Sequence, residues 1–101
     1  MREARVYMLG ETAGRLQELD TRQYRFCYDE RYEGPPISLT MPVAEREFSF
    51  DDFPPFFEGL LPEGVMLDGL LRQNKLDRND LFGQLLAVGA DMVGAVTVAE
   101  A

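Results

Sequence analysis

The side chains able to do chemistry in this 101-residue chain are carboxylates, hydroxyls, one lysine and one cysteine, because the sequence contains no histidine. That absence removes the commonest metal ligand and the usual general base near neutral pH. The candidates for acid–base work or Mg²⁺ binding are two acidic pairs, Asp51/Asp52 and Glu58/Glu63. Adjacent acids in a strand or helix point in different directions, and a proline separates the second pair. Solvated positions are therefore the favoured interpretation.

The remaining reactive residues are also poorly placed for catalysis. Lys75 is the only lysine and lies in the polar stretch QNKLDRND, where nothing would activate it as a nucleophile. Cys27 is the only cysteine and has neither a disulfide partner nor an imidazole to activate it, so a structural role is favoured. Gly10 and Gly14 lack the spacing of a phosphate-binding loop. The sequence therefore predicts no catalytic, metal or cofactor-binding residues, and we expect that the chain is not an enzyme.

The charge of the chain is acidic and unevenly distributed. There are 18 acidic against 10 basic residues, a net charge of −8, and residues 45–68 contain seven acids against Arg46 alone. Direct binding to nucleic acid is disfavoured, since neutralising phosphates requires clustered lysine or arginine. A basic protein surface would match this segment better. The acids are equally compatible with simply keeping a small domain soluble.

The length predicts one small domain spanning residues 1–101. No apolar run approaches the ~20 residues that cross a bilayer. The first residues, MREARVYMLGE, carry charge on both sides of a short apolar stretch and so lack the apolar segment of a secretory signal. We therefore expect a cytoplasmic protein that does not insert into membranes.

The first half of the chain has the pattern of an antiparallel meander. Residues 4–9 and 14–19 flank GETAG, whose glycines favour a turn, and residues 24–28 alternate between aromatic and polar side chains. A fourth strand is predicted over residues 37–41, where Ile, Leu and Met alternate with Ser and Thr. Pro42 would end that strand because proline cannot donate to the ladder.

The second half changes to a helical period. Phe56, Phe57, Leu60 and Leu61 share one predicted helix face; after the Pro-Glu-Gly break, residues 66–71 repeat the spacing, with Asp68 and Arg72 as an expected ion pair. A third helix is predicted from an N-cap at Asp77 or Asn79 to a left-handed cap at Gly89. GAVTV at 94–98 then predicts a strand returning to the sheet. The fold class expected is α+β, a small antiparallel sheet of about five strands with two to three helices in the second half.

Five segments of the chain are informative in their order and spacing: GRL at 14–16, YRFCYDERY at 24–32, PISLTMP at 36–42, PPFFEGLLPEG at 54–64 and DLFGQLLAVGADMVGAVTV at 80–98. Taken together, they resemble the N-terminal subdomain of HipA-type Ser/Thr kinases. The resemblance covers nearly the whole chain and implies mainly a fold. In it, PISL is a buried strand, FF..LL a core helix face, and GAVTV a strand packed too tightly at its start for a side chain larger than Gly94.

The sequence has no kinase catalytic loop, no Asp-Phe-Gly metal motif and no glycine-rich phosphate loop with its lysine. Because nothing follows the subdomain in this chain, the resemblance implies a stand-alone HipS-like antitoxin of a three-component toxin–antitoxin system. Its implied partner is a HipT/HipA-like Ser/Thr kinase, which it would bind and inhibit in trans. A HipB-like helix-turn-helix protein would bind DNA in the same ternary complex, with no direct nucleic acid contact from this chain.

The expected docking element is the turn after the Pro-Glu-Gly break, an apolar tip with an acidic rim that suits a kinase cleft lined by basic groups. Related sequences often carry a large aromatic residue, commonly tryptophan, where this chain has Val65. The opposing interpretation, that the apolar residues of this turn belong to the core, stays open at this point. The predicted partner-binding residues are Glu63, Gly64, Val65, Met66, Leu67 and Asp68.

Two alternatives from other functional classes remain. The chain could be a non-inhibitory structural subunit that completes the kinase fold or bridges it to the HipB-like protein. It could also be an acidic DNA mimic that binds a DNA-binding protein through residues 45–68 and so acts as an anti-repressor, with strongly salt-sensitive binding.

Overall fold

The computed structural model describes residues 2–20, 22–89 and 94–101, which form five strands and three α-helices. A short 3₁₀ helix, Val43–Glu45, precedes the fourth strand. The α+β prediction is confirmed, with all three α-helices in the second half of the chain. The elements are β1 Arg2–Met8, β2 Glu11–Glu18, β3 Tyr24–Tyr28, β4 Glu47–Phe50, α1 Pro55–Glu58, α2 Gly64–Asn74, α3 Leu81–Val88 and β5 Val96–Glu100.

All five strands belong to one antiparallel sheet with the order β4-β3-β2-β1-β5. The first four strands form a meander, and β5 returns from the helical half to pair with β1 between Ala4↔Glu100 and Met8↔Val96. The predicted return of the C-terminal strand is therefore confirmed. This topology leaves β4 and β5 as the two edges of the sheet.

The hydrophobic core lies between one face of the sheet and helices α1 and α3. Because successive side chains of a strand alternate between faces, every second residue of each strand points at the helices. The rings of Phe26 on β3 and Phe57 on α1 lie 6.0 Å apart between centroids. The fully buried side chains that meet in this layer are Val6, Leu16, Phe26, Phe57, Phe82, Leu85 and Val98.

The predicted strand over residues 37–41 is wrong. Its two ends, Ile37 and Met41, are buried, but Leu39 between them is 97% exposed at the tip of a turn closed by a single bridge from Ser38 to Met41. The Tyr28 hydroxyl accepts a hydrogen bond from the Ile37 N–H at 3.0 Å and donates one to the Met41 carbonyl at 2.6 Å. The ends are thus satisfied by a side chain, and no neighbouring strand is needed.

The fourth strand is instead Glu47–Phe50, which pairs with β3 from Cys27↔Glu47 to Tyr24↔Phe50. Sequence reasoning missed it because its alternation covers only four residues, EFSF, inside an acidic stretch. The longer alternation upstream is bounded by prolines, and its Ile37 N–H and Met41 carbonyl both bond to the Tyr28 hydroxyl.

The first hairpin also differs from its prediction. The turn is not spread over residues 10–14; it consists of Leu9 and Gly10, with φ of 52° and 85°, and β2 begins at Glu11. The pairing shifts between Val6↔Gly14 and Tyr7↔Thr12, which leaves Ala13 as the extra residue of a β-bulge. The pattern of the sequence did not reveal the bulge because both Ala13 and Gly14 are small and buried.

Helix α3 confirms the third predicted helix but corrects both of its ends. The N-cap is Asp80, not Asp77 or Asn79, and its carboxylate accepts a hydrogen bond from the Gly83 N–H at 3.1 Å. Gly89 has φ of −54°, so it is not a left-handed cap. A Cβ on Gly89 would overlap the Val98 carbonyl oxygen, so glycine allows the helix end to approach β5 closely.

The prediction that tight packing requires glycine at position 94 is wrong. A Cβ there would meet nothing within 4 Å, and the residue has φ of +121°. Two residues before β5 the backbone thus adopts a conformation that favours glycine, and tight packing is not the reason for a glycine there.

Candidate protein-interaction site

Helix α2 begins at Gly64, directly after the Pro-Glu pair of the predicted docking turn. Gly64 has φ of +60°, a conformation that glycine adopts without strain, and Glu63 before it is extended. The first bond of the turn runs from the Leu67 N–H to the Glu63 carbonyl at 3.4 Å. The chain thus changes direction sharply at this glycine and sends the next residues outward.

The apolar residues that follow the turn are largely exposed. Val65 and Met66 expose 87% and 76% of their surface, whereas Leu67 is partly buried. Helix α2 contains no fully buried residue and contacts the domain through partly buried leucines on one side. Because large exposed apolar side chains side by side mark surfaces that bind other proteins, the start of α2 is the candidate interaction site.

The charge at this site is less acidic than the sequence indicates. Glu63 is exposed, but Asp68 makes an ion pair with Arg78 at 2.6 Å between carboxylate and guanidinium. The expected pairing of Asp68 with Arg72 is therefore wrong, because the segment after α2 brings Arg78 back to the same carboxylate. Of the two acids predicted to flank the turn, Glu63 alone keeps a carboxylate without an ion-pair partner among the described residues.

The six predicted docking residues thus lie together at the start of α2, with Glu63, Gly64 and Asp68 exposed beside the two apolar side chains. Their role in binding stays a prediction. The arrangement offers apolar surface and one carboxylate without an ion pair in the described part of the chain, and residues 63–68 include no hydroxyl, thiol or amine side chain. Its chemistry is that of a contact surface.

The acidic pairs considered for acid–base or metal chemistry lie in exposed positions. Asp52 lies 3.7 Å from Arg22 in an exposed ion pair, and Glu58 and Glu63 are both exposed. Within residues 2–20, 22–89 and 94–101, no three Cys, Asp or Glu side chains are grouped as a metal site would require. No helix in those same ranges is long and apolar enough to span a membrane.

Cys27 lies on the sheet face away from the helices and is partly buried. Burial raises the pKa of its thiol, and the nearby Glu47 carboxylate raises it further, against a smaller opposing effect of Arg25. A raised pKa reduces the thiolate population at neutral pH. The environment agrees with the structural role expected from the sequence.

A separate cleft is lined in large part by charged residues, and one arginine that sequence reasoning missed binds two of its carboxylates. The guanidinium of Arg2 donates to both carboxylate oxygens of Glu18 at 2.8 Å and to those of Asp80 at 2.7 and 3.1 Å, and it lies 5.2 Å from the centroid of the Phe82 ring. No local pattern marks this residue, since Asp80 is 78 positions away. With two carboxylates bound, Arg2 ties β1 and β2 to the start of α3 and offers no free charge to an anion.

This cluster makes part of the stability dependent on pH. The Arg2 hydrogen bonds hold the pKa of Asp80 below its ordinary value of 3.8. A depressed carboxyl pKa contributes stability that is complete above the unfolded-state pKa and is lost as the pH falls through the folded-state pKa. We expect Asp80→Asn, which keeps an N-capping side chain, to lower the free energy of unfolding by about 1 kcal/mol at pH 7. The difference from wild type should vanish below the folded-state pKa.

Urea unfolding between pH 7 and pH 2 measures this difference. Asp51→Asn, an exposed position, is the matched control and should give a difference near zero at every pH. A gap between wild type and Asp80→Asn that does not narrow on acidification would show that the charge of Asp80 contributes nothing.

Comparison with known proteins places this geometry in a family. The family model of the HipA N-terminal domain matches residues 4–99 of this chain. An uncharacterized protein of Haemophilus influenzae is 36% identical over 100 residues, which cover 99% of this chain and 93% of that protein.

A solved structure of the N-terminal domain of HipA toxin superposes with a TM-score of 0.79 and 31% identity, covering 100% of this chain and 93% of that one. The sheet, the helical second half and the returning strand are thus shared over the full length of the chain. The protein belongs to the HipA N-terminal domain family.

Proposed function

We propose that this domain is a HipS-like antitoxin that binds a HipT/HipA-like Ser/Thr kinase in trans and holds it inactive through the start of α2. Membership of the HipA N-terminal domain family supports a toxin–antitoxin context. The proposal also includes a cytoplasmic complex with a HipB-like DNA-binding protein.

The exposure of Val65 and Met66 is the observation that carries this proposal. Both side chains lie in the first turn of an amphipathic helix, yet they face solvent where a folded domain would gain by burying them. Burying two such side chains in a partner contributes about 1.5–3 kcal/mol each. This is the scale of a small hot spot, in which a few apolar residues account for most of the binding energy.

Val65→Asp and Met66→Asp test the proposal. Each variant should weaken inhibition of the kinase about 30-fold or more, because a hot-spot truncation costs ~2 kcal/mol or more. Neither should lower the free energy of unfolding by more than ~0.5 kcal/mol, since both positions are exposed and a carboxylate near the start of a helix is favourable. The measurements are autophosphorylation of the purified kinase against antitoxin concentration, and growth on co-expression.

Leu9→Asp is the matched control. Leu9 is 73% exposed in the turn of the first hairpin, far from α2 in sequence. Its φ of 52° lies in a region that aspartate tolerates, so the same change from an apolar side chain to a carboxylate can be made there. This variant should inhibit as wild type does. If all three variants inhibited the kinase equally, the start of α2 would not be the surface that inhibits it.

Two other functions make distinct predictions in the same assay. A structural subunit would co-purify with the kinase without lowering its activity. An acidic DNA mimic would bind the HipB-like protein in the absence of the kinase, with binding that weakens steeply as salt rises. If the wild-type protein did not associate with the kinase at all, both the inhibitor proposal and the structural-subunit alternative would be contradicted.

A further inference from the structure

The free edge of the sheet at β4 borders an open groove of about 560 Å³. All four residues of β4 line this groove, together with Thr40 and Met41 and the segment from Pro54 to Phe56. Neighbouring residues of a strand point to opposite faces of the sheet. A groove that contacts all four of them therefore runs along the edge itself, where the backbone is accessible.

The backbone at this edge is free to pair. The Tyr28 N–H donates to the Arg46 carbonyl at 2.8 Å, and β3 and β4 continue in the register Phe26↔Phe48 and Tyr24↔Phe50. Hydrogen-bonded pairs alternate along an antiparallel ladder, so Glu47 and Ser49 direct their N–H and C=O groups away from β3. Within the described residues, no backbone group outside the sheet pairs with them.

The two faces of β4 present different chemistry to a strand added at this edge. Phe48 and Phe50 are partly buried on the helix-covered face, next to Met41 and Phe56. Glu47 and Ser49 are exposed on the other face, where Arg25 lies 3.6 Å from the Glu47 carboxylate. An added strand would thus place every second side chain against apolar surface and the others beside an acid.

Charge around the edge selects the partner. Glu45, Glu47, Asp51 and Asp52 are all exposed, and among the described residues only Glu47 and Asp52 have single, loose ion pairs, with Arg25 at 3.6 Å and Arg22 at 3.7 Å. Arg46, the only basic residue among them in sequence, donates to the Asp29 and Tyr32 carbonyls at 2.9 Å. A second copy of this chain pairing antiparallel at β4 would set these acids against their own counterparts, and like charges across a ladder are destabilising.

We propose that the β4 edge binds an extended segment of another protein in which apolar residues alternate with lysine or arginine, added to the sheet as a sixth, antiparallel strand. Main-chain hydrogen bonds to Glu47 and Ser49 supply affinity, the groove beside Phe48 and Phe50 holds the apolar side chains, and the acids pair with the basic ones. These residues do not overlap the start of α2, so the inference does not rest on the kinase-inhibition proposal.

The test uses a capped heptapeptide in which lysine and valine alternate, with its glutamate–valine counterpart as the charge control. In an antiparallel added strand, valines facing Phe48 and Phe50 put the lysine residues opposite Glu47 and Ser49, so the backbone N–H groups of the lysine residues bond to the edge. Methylating the backbone nitrogens of the lysine residues should weaken peptide binding at least ~10-fold. Methylating the backbone nitrogens of the valine residues should change the affinity less than about twofold. Calorimetry gives the affinities, and the Glu47 and Ser49 amide resonances locate the site.

Variants of the protein provide the second arm. Ser49→Pro removes an N–H that faces solvent and should weaken binding of the lysine–valine peptide at least ~10-fold. Ser49→Ala keeps that N–H and should bind the peptide as wild type does. If Ser49→Pro fails to fold, the methylated peptide pair on the wild-type protein still decides the question. Val65→Asp should bind the peptide normally, which separates this result from a failure of kinase inhibition.

Three results would overturn the proposal. If the lysine–valine peptide bound no more tightly than its glutamate counterpart, the acids around the edge would not select a basic partner. If the two methylated peptides bound with equal affinity, the peptide would not be adding to the sheet as a strand. Dimerisation of the wild-type chain that is lost in Ser49→Pro would assign the edge to a second copy.

Discussion

Phe57→Ala should lower the free energy of unfolding by about 3–5 kcal/mol. The side chain is fully buried, with its ring 6.0 Å from that of Phe26 on the sheet and 5.2 Å from that of Phe56. Alanine would leave a cavity between α1 and the sheet that a four-residue helix cannot collapse to fill. For a domain of this size the loss corresponds to a fall in melting temperature of roughly 15–30 °C, measured by calorimetry or by circular dichroism.

Phe56→Ala is the control on the same helix. Phe56 is only partly buried, so the same chemical change should cost clearly less than at Phe57. If the two variants were equally destabilised, the helix itself and not the buried ring would be the important element. Phe57→Leu, which keeps most of the apolar volume, should recover the larger part of the lost stability.

Gly14→Ala should be the most damaging single methyl group added to the sheet, with an expected cost of about 3 kcal/mol. A Cβ at this position would overlap the Cys27 carbonyl oxygen and lie 2.9 Å from the Tyr28 Cα. Both obstacles are backbone of β3, so no side-chain rotation relieves them. Strands β2 and β3 would have to separate next to the β-bulge, and amide hydrogen exchange should accelerate there before elsewhere.

Gly69→Ala provides the matched comparison for that change. Gly69 lies inside α2, where a Cβ would meet nothing within 4 Å. The same substitution should therefore stabilise the protein by about 0.5–1 kcal/mol, because alanine has the higher helix propensity. A neutral or favourable effect of Gly14→Ala would show that β2 and β3 are less tightly packed than their register implies.

Periodicity in the sequence was enough to predict the elements with strong internal patterns. The alternation at residues 24–28 predicts β3, and the apolar spacing of 81–86 predicts α3. The return of the final strand to the sheet follows because an isolated apolar strand after the helices has to pair with an available edge. These are local properties, or nearly so, and they establish the fold class.

Periodicity failed where a distant residue satisfied the backbone. Residues 37–41 alternate as a strand does, yet the Tyr28 hydroxyl binds both ends of the segment and Leu39 is exposed. The short EFSF pattern at 47–50 forms the strand because β3 was free to pair with it. Which of two candidate segments joins a sheet depends on tertiary partners that a local pattern does not contain.

The candidate interaction site divides in the same way. The sequence by itself identified the Pro-Glu-Gly break and the apolar residues after it, but it left open whether those residues belong to the core. The tertiary structure decided that Val65 and Met66 face solvent, paired Asp68 with Arg78, and left the outward-facing backbone groups of Glu47 and Ser49 in β4 without a backbone partner among the described residues, beside a groove. The physical reason is that side-chain type and spacing set which faces are apolar, whereas burial, ion pairing and free sheet edges depend on which elements the folded chain brings into contact.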